Sequence, residues 1–152
     1  MNQFRHINSE TLAHGCTITL PNDVQAVPQL NDFVVEACLA VGFDSKMSRK
    51  IRLSVEEAVV NVMDYAYSEG IEGTVDIEVV TDQKSLKFII TDSGKPFDPT
   101  AKPEVDLSLP GEERQIGGLG IHLLRTLMDS VDYKRIDGKN ILTLTKDLQA
   151  EI

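Results

Sequence analysis

The chain has no tryptophan, and aromatic residues fill only 5% of its 152 positions. Proteins that hold single-stranded nucleic acid stack bases on aromatic side chains, so this composition argues against that mode of binding. Basic residues are also in short supply: 15 Lys and Arg stand against 24 Asp and Glu, for a formal net charge of −9. A duplex-binding surface needs the opposite sign, so no direct nucleic-acid partner is expected. The two cysteines, Cys16 and Cys38, form no C-x-x-C. A zinc or redox motif is therefore unsupported, and reduced, partly buried thiols are expected. No apolar run is long enough to cross a bilayer, and the opening M-N-Q-F-R-H carries no hydrophobic targeting segment. The expectation is a cytoplasmic protein with no membrane partner.

What is present suits a single domain spanning residues 1–152. At 41% hydrophobic and 26% charged, the chain is ordinary for a globular protein of a size that buries its own core. Residues 1–14 are polar without a clear period and read as a loose arm or an edge element. Gly15 to Leu20 alternates and ends at Pro21, which reads as a strand. Val24, Val27, Leu30, Phe33, Val34, Ala37, Cys38 and Val41 recur at helical spacing, and Gly42 is a stop. A second helix follows from an Asp44 or Ser45 cap to about Tyr67. Thr74–Thr81 and Leu86–Thr91 read as strands around a turn at Asp82–Ser85. Residues 94–116 form a long irregular loop, of the kind that makes a lid or a binding loop. A third helix, Ile121 to about Asp129, precedes strands Val131–Ile136 and Asn140–Lys146, joined at Asp137-Gly138. The expected fold is α+β: a two-layer sandwich with a mixed, mostly antiparallel sheet of about five strands and three helices on one face.

Three stretches carry chemistry. In E-E-A-V-V-N-V-M-D, Glu57 and Asn61 lie four apart and Asp64 three further on, so the three share a helix face. A carboxylate and a carboxamide one turn apart can orient a hydroxyl and hold a hard cation. Taken alone, a solvated polar stripe is the commoner explanation. In D-S-G-K-P-F-D-P, Asp92 ends an apolar strand, where it can accept from an exocyclic amine, and Gly94 would let a flat base approach. A simple turn explains Asp-x-Gly equally well, but not the appended P-F-D-P. In G-G-L-G, Gly117 to Gly120 open a helix and can present N–H groups to an anion. The spacing fits neither a P-loop nor a dinucleotide fingerprint.

In this order the three stretches resemble the N-box and the two glycine boxes of the Bergerat ATP-binding fold, shared by gyrases, heat-shock chaperones, histidine kinases and MutL proteins. P-F-D-P and the small size resemble its anti-sigma serine/threonine kinases, with the likeness running from about Val24 to Lys146. The resemblance implies ATP and Mg²⁺ as cofactors. It implies Asn61 on the Mg²⁺ that bridges the phosphates, with Asp64 beside it, and Glu57 as the base that deprotonates a substrate serine. Asp92 would bind the adenine amine beside Gly94, and Gly118, Leu119, Gly120 and Ile121 would wrap the phosphates. Residues 100–116 would form an ATP lid. Thr143 would hold adenine through water, with Thr145 left open by the alternation. Arg114 would assist transfer, offset from the place an arginine takes in some relatives. Tyr65 stands where many relatives carry His. His122 reads more readily as a surface or capping group than as a phosphate contact, the Lys95 side chain as pointing to solvent, and His6 and His14 do not cluster with His122. The implied function is an anti-sigma factor that sequesters a sigma factor and phosphorylates an anti-sigma-factor antagonist protein, acting as a homodimer. The alternative is an ATP-binding partner-switching module with little or no kinase activity.

Overall fold

A computed structural model describes residues 7–67, 73–101 and 124–148. Its elements run α1 (Ser9–His14), β1 (Cys16–Pro21), α2 (Val27–Ala40), α3 (Ser45–Tyr65), β2 (Thr74–Thr81), β3 (Ser85–Asp92), β4 (Ser130–Ile136) and β5 (Lys139–Asp147). Short 3₁₀ turns at Val24–Ala26 and Pro99–Ala101 complete the order. The strands form one sheet in the order β1-β2-β3-β5-β4, and every pairing is antiparallel. The fold is thus α+β as expected, although the sheet is not mixed.

Alternation decides which face of the sheet is covered. Val75, Ile77 and Val79 on β2, Leu86, Phe88 and Ile90 on β3, and Leu142 and Leu144 on β5 are all buried. They meet an apolar face of α2 (Leu30, Phe33, Val34, Ala37, Cys38) and of α3 (Ile51, Val55, Ala58, Val59, Val62) at helical spacing. The residues between them in sequence, including Thr17, Glu78, Lys87 and Thr143, lie on the opposite face.

Local chemistry fixes the element ends. Asp44 caps α3 by accepting from the Met47 N–H at 2.8 Å. Asp137 and Gly138 both have positive φ, 52° and 77°, as a two-residue hairpin loop requires, and this sets the register of β4 on β5. The reading of residues 1–14 as an arm is corrected for its described part. Asn8 and Thr11 make a capping box, and Ile7 and Leu12 belong to the core, so α1 is packed against β2. Residues 124–127 are helical, while the start of the expected third helix lies outside the described residues.

Candidate functional site

The second half of α3 presents Glu57, Asn61 and Asp64 in successive turns, with Asn61 only 5% exposed, Glu57 half-buried and Asp64 exposed. The two adjacent glutamates differ. Glu56 accepts from Asn31 Nδ2 of α2 at 3.0 Å and lies 3.8 Å from the Arg52 guanidinium. Glu57 has no hydrogen-bond or ion-pair partner among the described residues. It is therefore the one left available for chemistry.

Three contacts tie the end of α3 to the loop after β3. The Lys95 N–H donates to the Ala66 carbonyl at 2.8 Å. The Tyr67 hydroxyl donates to the Thr74 carbonyl at 2.8 Å and accepts from the Ser93 N–H at 3.0 Å. The Tyr65 ring stacks on Phe97 with centroids 5.4 Å apart. Tyr65 thus braces P-F-D-P. At Gly94 a side chain would meet the Ala66 carbonyl oxygen at 2.2 Å, so glycine is required there for the crossing of loop and helix. That close approach is to the helix end. The carbonyl of Gly94 accepts from Arg135 Nη1 at 2.8 Å, and the Lys95 side chain is exposed.

Asp92 ends β3 with 3% exposure. Burial raises its pKa above the ordinary carboxylate range, opposed by hydrogen bonds from Asn140 and Gly94 and by the Arg135 charge. Its described bonds, from the Gly94 N–H at 2.8 Å and from Asn140 Nδ2 at 2.9 Å, both fall on Oδ1. Asn140 sits directly across from Asp92 in the β3–β5 register. Thr143 is paired with Ile89 and Asp132 and lies on the other face of the sheet. Thr143, expected to hold adenine through water, and Thr145, in the same phase, therefore lie on the face of the sheet opposite to that of Asp92. Asn140, Tyr133, Arg135 and Tyr67 were missed in the sequence. For Asn140 a cue existed: it is a polar residue in phase with Leu142 and Leu144.

Asn61 and Asp92 belong to the same end of the molecule. Asn61 precedes Ala66 by five residues, roughly 7.5 Å along the helix axis, and Ala66 touches Gly94. Asn61 Nδ2 is buried with no hydrogen-bond partner among the described residues. An orphaned amide of this kind costs about 1–3 kcal/mol, which a bound polar ligand would offset. Because a carboxamide presents oxygen or N–H by rotation, the side chain fits either a cation or a phosphate oxygen. No group of three or more His, Cys, Asp and Glu gathers at a metal-sized site among the described residues. A Mg²⁺ here would therefore share its coordination between Asn61, phosphates and water, as that ion ordinarily does.

Arg114, Gly118, Leu119, Gly120, Ile121 and His122 lie outside the described residues, as does the expected lid beyond Ala101. The flanks of that segment are joined. Asp98 caps the turn at Thr100 (N–H at 2.8 Å), and Arg125 Nη2 donates to the Thr100 carbonyl at 2.6 Å. Both cysteines are free and buried, and burial pushes the Cys38 thiol up to about 12, so it is no nucleophile. No helix among the described residues is long and apolar enough to cross a membrane.

With this geometry in place, the likeness to known proteins can be weighed. The histidine kinase-like ATPase domain family matches residues 20–146. The serine-protein kinase RsbW of Halalkalibacterium halodurans is 35% identical over 136 residues, covering 82% of each chain. The chain belongs to the histidine kinase-like ATPase family and, within it, to the RsbW kinases. The serine/threonine-protein kinase BtrW of Bordetella bronchiseptica is 28% identical over 68% of this chain and 72% of its own. A solved structure of the RsbU and RsbW domains of a Mycobacterium tuberculosis protein covers 90% of this chain with a TM-score of 0.62 at 16% identity. The match spans 33% of that longer chain and supports the fold.

Proposed function

We propose that the protein is an ATP-dependent serine kinase that phosphorylates a small anti-sigma-factor antagonist and otherwise sequesters a sigma factor, working in the cytoplasm as a homodimer. The observation that carries this reading is the buried Asn61 amide one turn from a half-buried Glu57, both without a partner among the described residues. Asp92 accepts from the adenine amine and so orients the nucleotide toward α3. Asn61 and Asp64 would face the phosphates, and Asn61 would hold the cation. Mg²⁺ bound there supplies positive charge that neutralises the phosphate oxygens. Glu57 takes the hydroxyl proton as the substrate serine Oγ bonds to the γ-phosphorus and the bond to the bridging oxygen of the ADP leaving group breaks. Gly118, Leu119, Gly120 and Ile121 hold the phosphates by backbone N–H groups, residues 100–116 close over them, and Arg114 offsets developing charge.

The test is transfer of the γ-phosphoryl group of labelled MgATP to a purified antagonist-type protein. Glu57→Ala is expected to lower transfer by roughly 10²- to 10⁴-fold while leaving ATP affinity nearly unchanged. Transfer at the unaltered rate would remove Glu57 from the reaction. No transfer by the unaltered protein, with ATP still bound, would leave an ATP-dependent binding module in place of a kinase.

A further inference from the structure

An open cavity of about 600 Å³ lies at the foot of α3. The turn from α2 into α3 makes one wall. It is fixed by the Gly42 N–H on the Leu39 carbonyl and the Phe43 N–H on the Cys38 carbonyl, both at 3.1 Å. Leu148 makes the other wall, and its N–H donates to the Lys84 carbonyl at 2.8 Å. That bond sets the cavity beside the Asp82–Ser85 turn, at the opposite end of β3 from Asp92. Val41, Phe43, Met47 and Leu148 give it an apolar lining that packs on the core and is only partly covered. Lys46 and Lys50, one turn apart on α3, add two exposed ammonium groups. Their side chains have no hydrogen-bond or ion-pair partner among the described residues. Asp44 also lines the cavity, but its Oδ1 is taken by the Met47 N–H that it caps. Residues 45–53 hold four Lys and Arg and no acidic residue, in a chain of net charge −9. An acidic partner is repelled by the molecule as a whole and steered to this one stretch.

Lys46, Lys50, Leu53, Glu57, Asn61 and Asp64 follow one another at steps of three or four residues, so they share a face of α3. Lys50 stands seven residues before Glu57 and Lys46 eleven, roughly 10 and 16 Å along the helix axis. A stable protein interface covers about 800 Å² of each partner, a patch on the order of 30 Å across. A protein that presents its serine to Glu57 therefore reaches the foot of the helix as well. We propose that this cavity docks an acidic segment of the protein substrate, with carboxylates on Lys46 and Lys50 and an apolar side chain between Phe43, Met47 and Leu148. This docking role rests on the kinase reading of the site and adds to it the place where the substrate is held.

The test is the steady-state KM and kcat of phosphoryl transfer to an antagonist-type protein at saturating MgATP. Lys46→Glu combined with Lys50→Glu replaces two attractions by two repulsions on exposed positions. KM for the protein substrate is expected to rise roughly tenfold, with kcat and ATP affinity within about twofold. Added salt should raise KM for the unaltered protein and much less for this variant. Lys134→Glu combined with Lys139→Glu makes the same change of net charge on exposed residues of the β4–β5 hairpin, and should leave KM within about twofold. A KM unmoved by the changes at Lys46 and Lys50, or raised equally by both pairs, would overturn the proposal. A labelled peptide of alternating Glu and Leu, followed by fluorescence anisotropy, should compete with the protein substrate and not with ATP, and a peptide of Glu and Ser should bind more weakly. Equal binding of the two peptides would remove the apolar lining from the account. A change in oligomeric state by sedimentation in the Lys46 and Lys50 variant would make the cavity an interface between copies of this chain, and the docking role would fall. An unaltered protein that transfers nothing defeats the kinase reading and the docking role together, whereas normal transfer with KM insensitive to the two lysines defeats docking alone.

Discussion

Asn61 and Asn140 are two buried asparagines of similar exposure, 5% and 3%, and they meet the interior in opposite ways. Asn140 spends its whole carboxamide on protein groups, joining β5 to the loop after β3. Asn61, on α3, leaves its Nδ2 without a partner among the described residues. Buried polar groups are normally satisfied, so the first pattern is architecture, whereas the second is an exception that Asn61 shares with Asn22, Asn31 and Ser48 among the described residues. The contrast teaches that burial alone does not mark a functional residue. The useful question is where its hydrogen bonds go.

The comparison breaks most visibly by replacing each residue with an apolar side chain of similar size. Asn140→Leu strands the Asp92 carboxylate, the Lys95 carbonyl and the Phe97 N–H, so denaturant unfolding should show a loss of roughly 3–5 kcal/mol. Asn61→Leu removes an already unpaired group and should change stability by less than about 1 kcal/mol, while MgATP binding weakens at least roughly tenfold. Equal losses of stability would erase the distinction. Gly94→Ala tests the crossing that brings the two regions together. Its methyl would meet the Ala66 carbonyl oxygen at 2.2 Å, and the forced displacement should cost about 1–3 kcal/mol in thermal or chemical unfolding.

The smallest effect concerns the charge that Asn140 holds. Burial raises the Asp92 pKa. Between the ordinary carboxylate pKa and the raised one, the folded protein keeps a proton that the unfolded chain has lost. Stability contributed by this group therefore falls as pH rises through that window and is level above it. Asp92→Asn should remove this fall, giving a flatter stability profile across the window by denaturant titration at a series of pH values. The same change should weaken ATP binding at neutral pH, the exchange expected where a strained group serves a ligand.

Helices α2 and α3 were legible because their apolar residues recur at helical spacing over several turns, and the β4–β5 hairpin because Asp137-Gly138 accepts positive φ. Helix α1 was not, since its six residues carry Leu12 as the one large apolar side chain, too little to show a period. The face shared by Glu57 and Asn61 follows from helix geometry and was readable. The partner of Asp92 was not: β3 and β5 are far apart in the chain, and only their register sets Asn140 opposite Asp92 and turns Thr143 away. The same distance hid Tyr133 and Arg135. The polar residue in phase with Leu142 and Leu144 was a cue whose meaning needed that register.

The most direct measurement follows backbone amide NMR shifts during a titration with MgATP. The expected result is saturable change at Asn61, Ser93, Gly94, Lys95 and Asn140, with the Asp82–Ser85 turn at the opposite end of β3 unmoved. Shifts confined to that turn, or none at Asn61 and Gly94 at saturating nucleotide, would contradict a single nucleotide site built from the end of α3 and the end of β3.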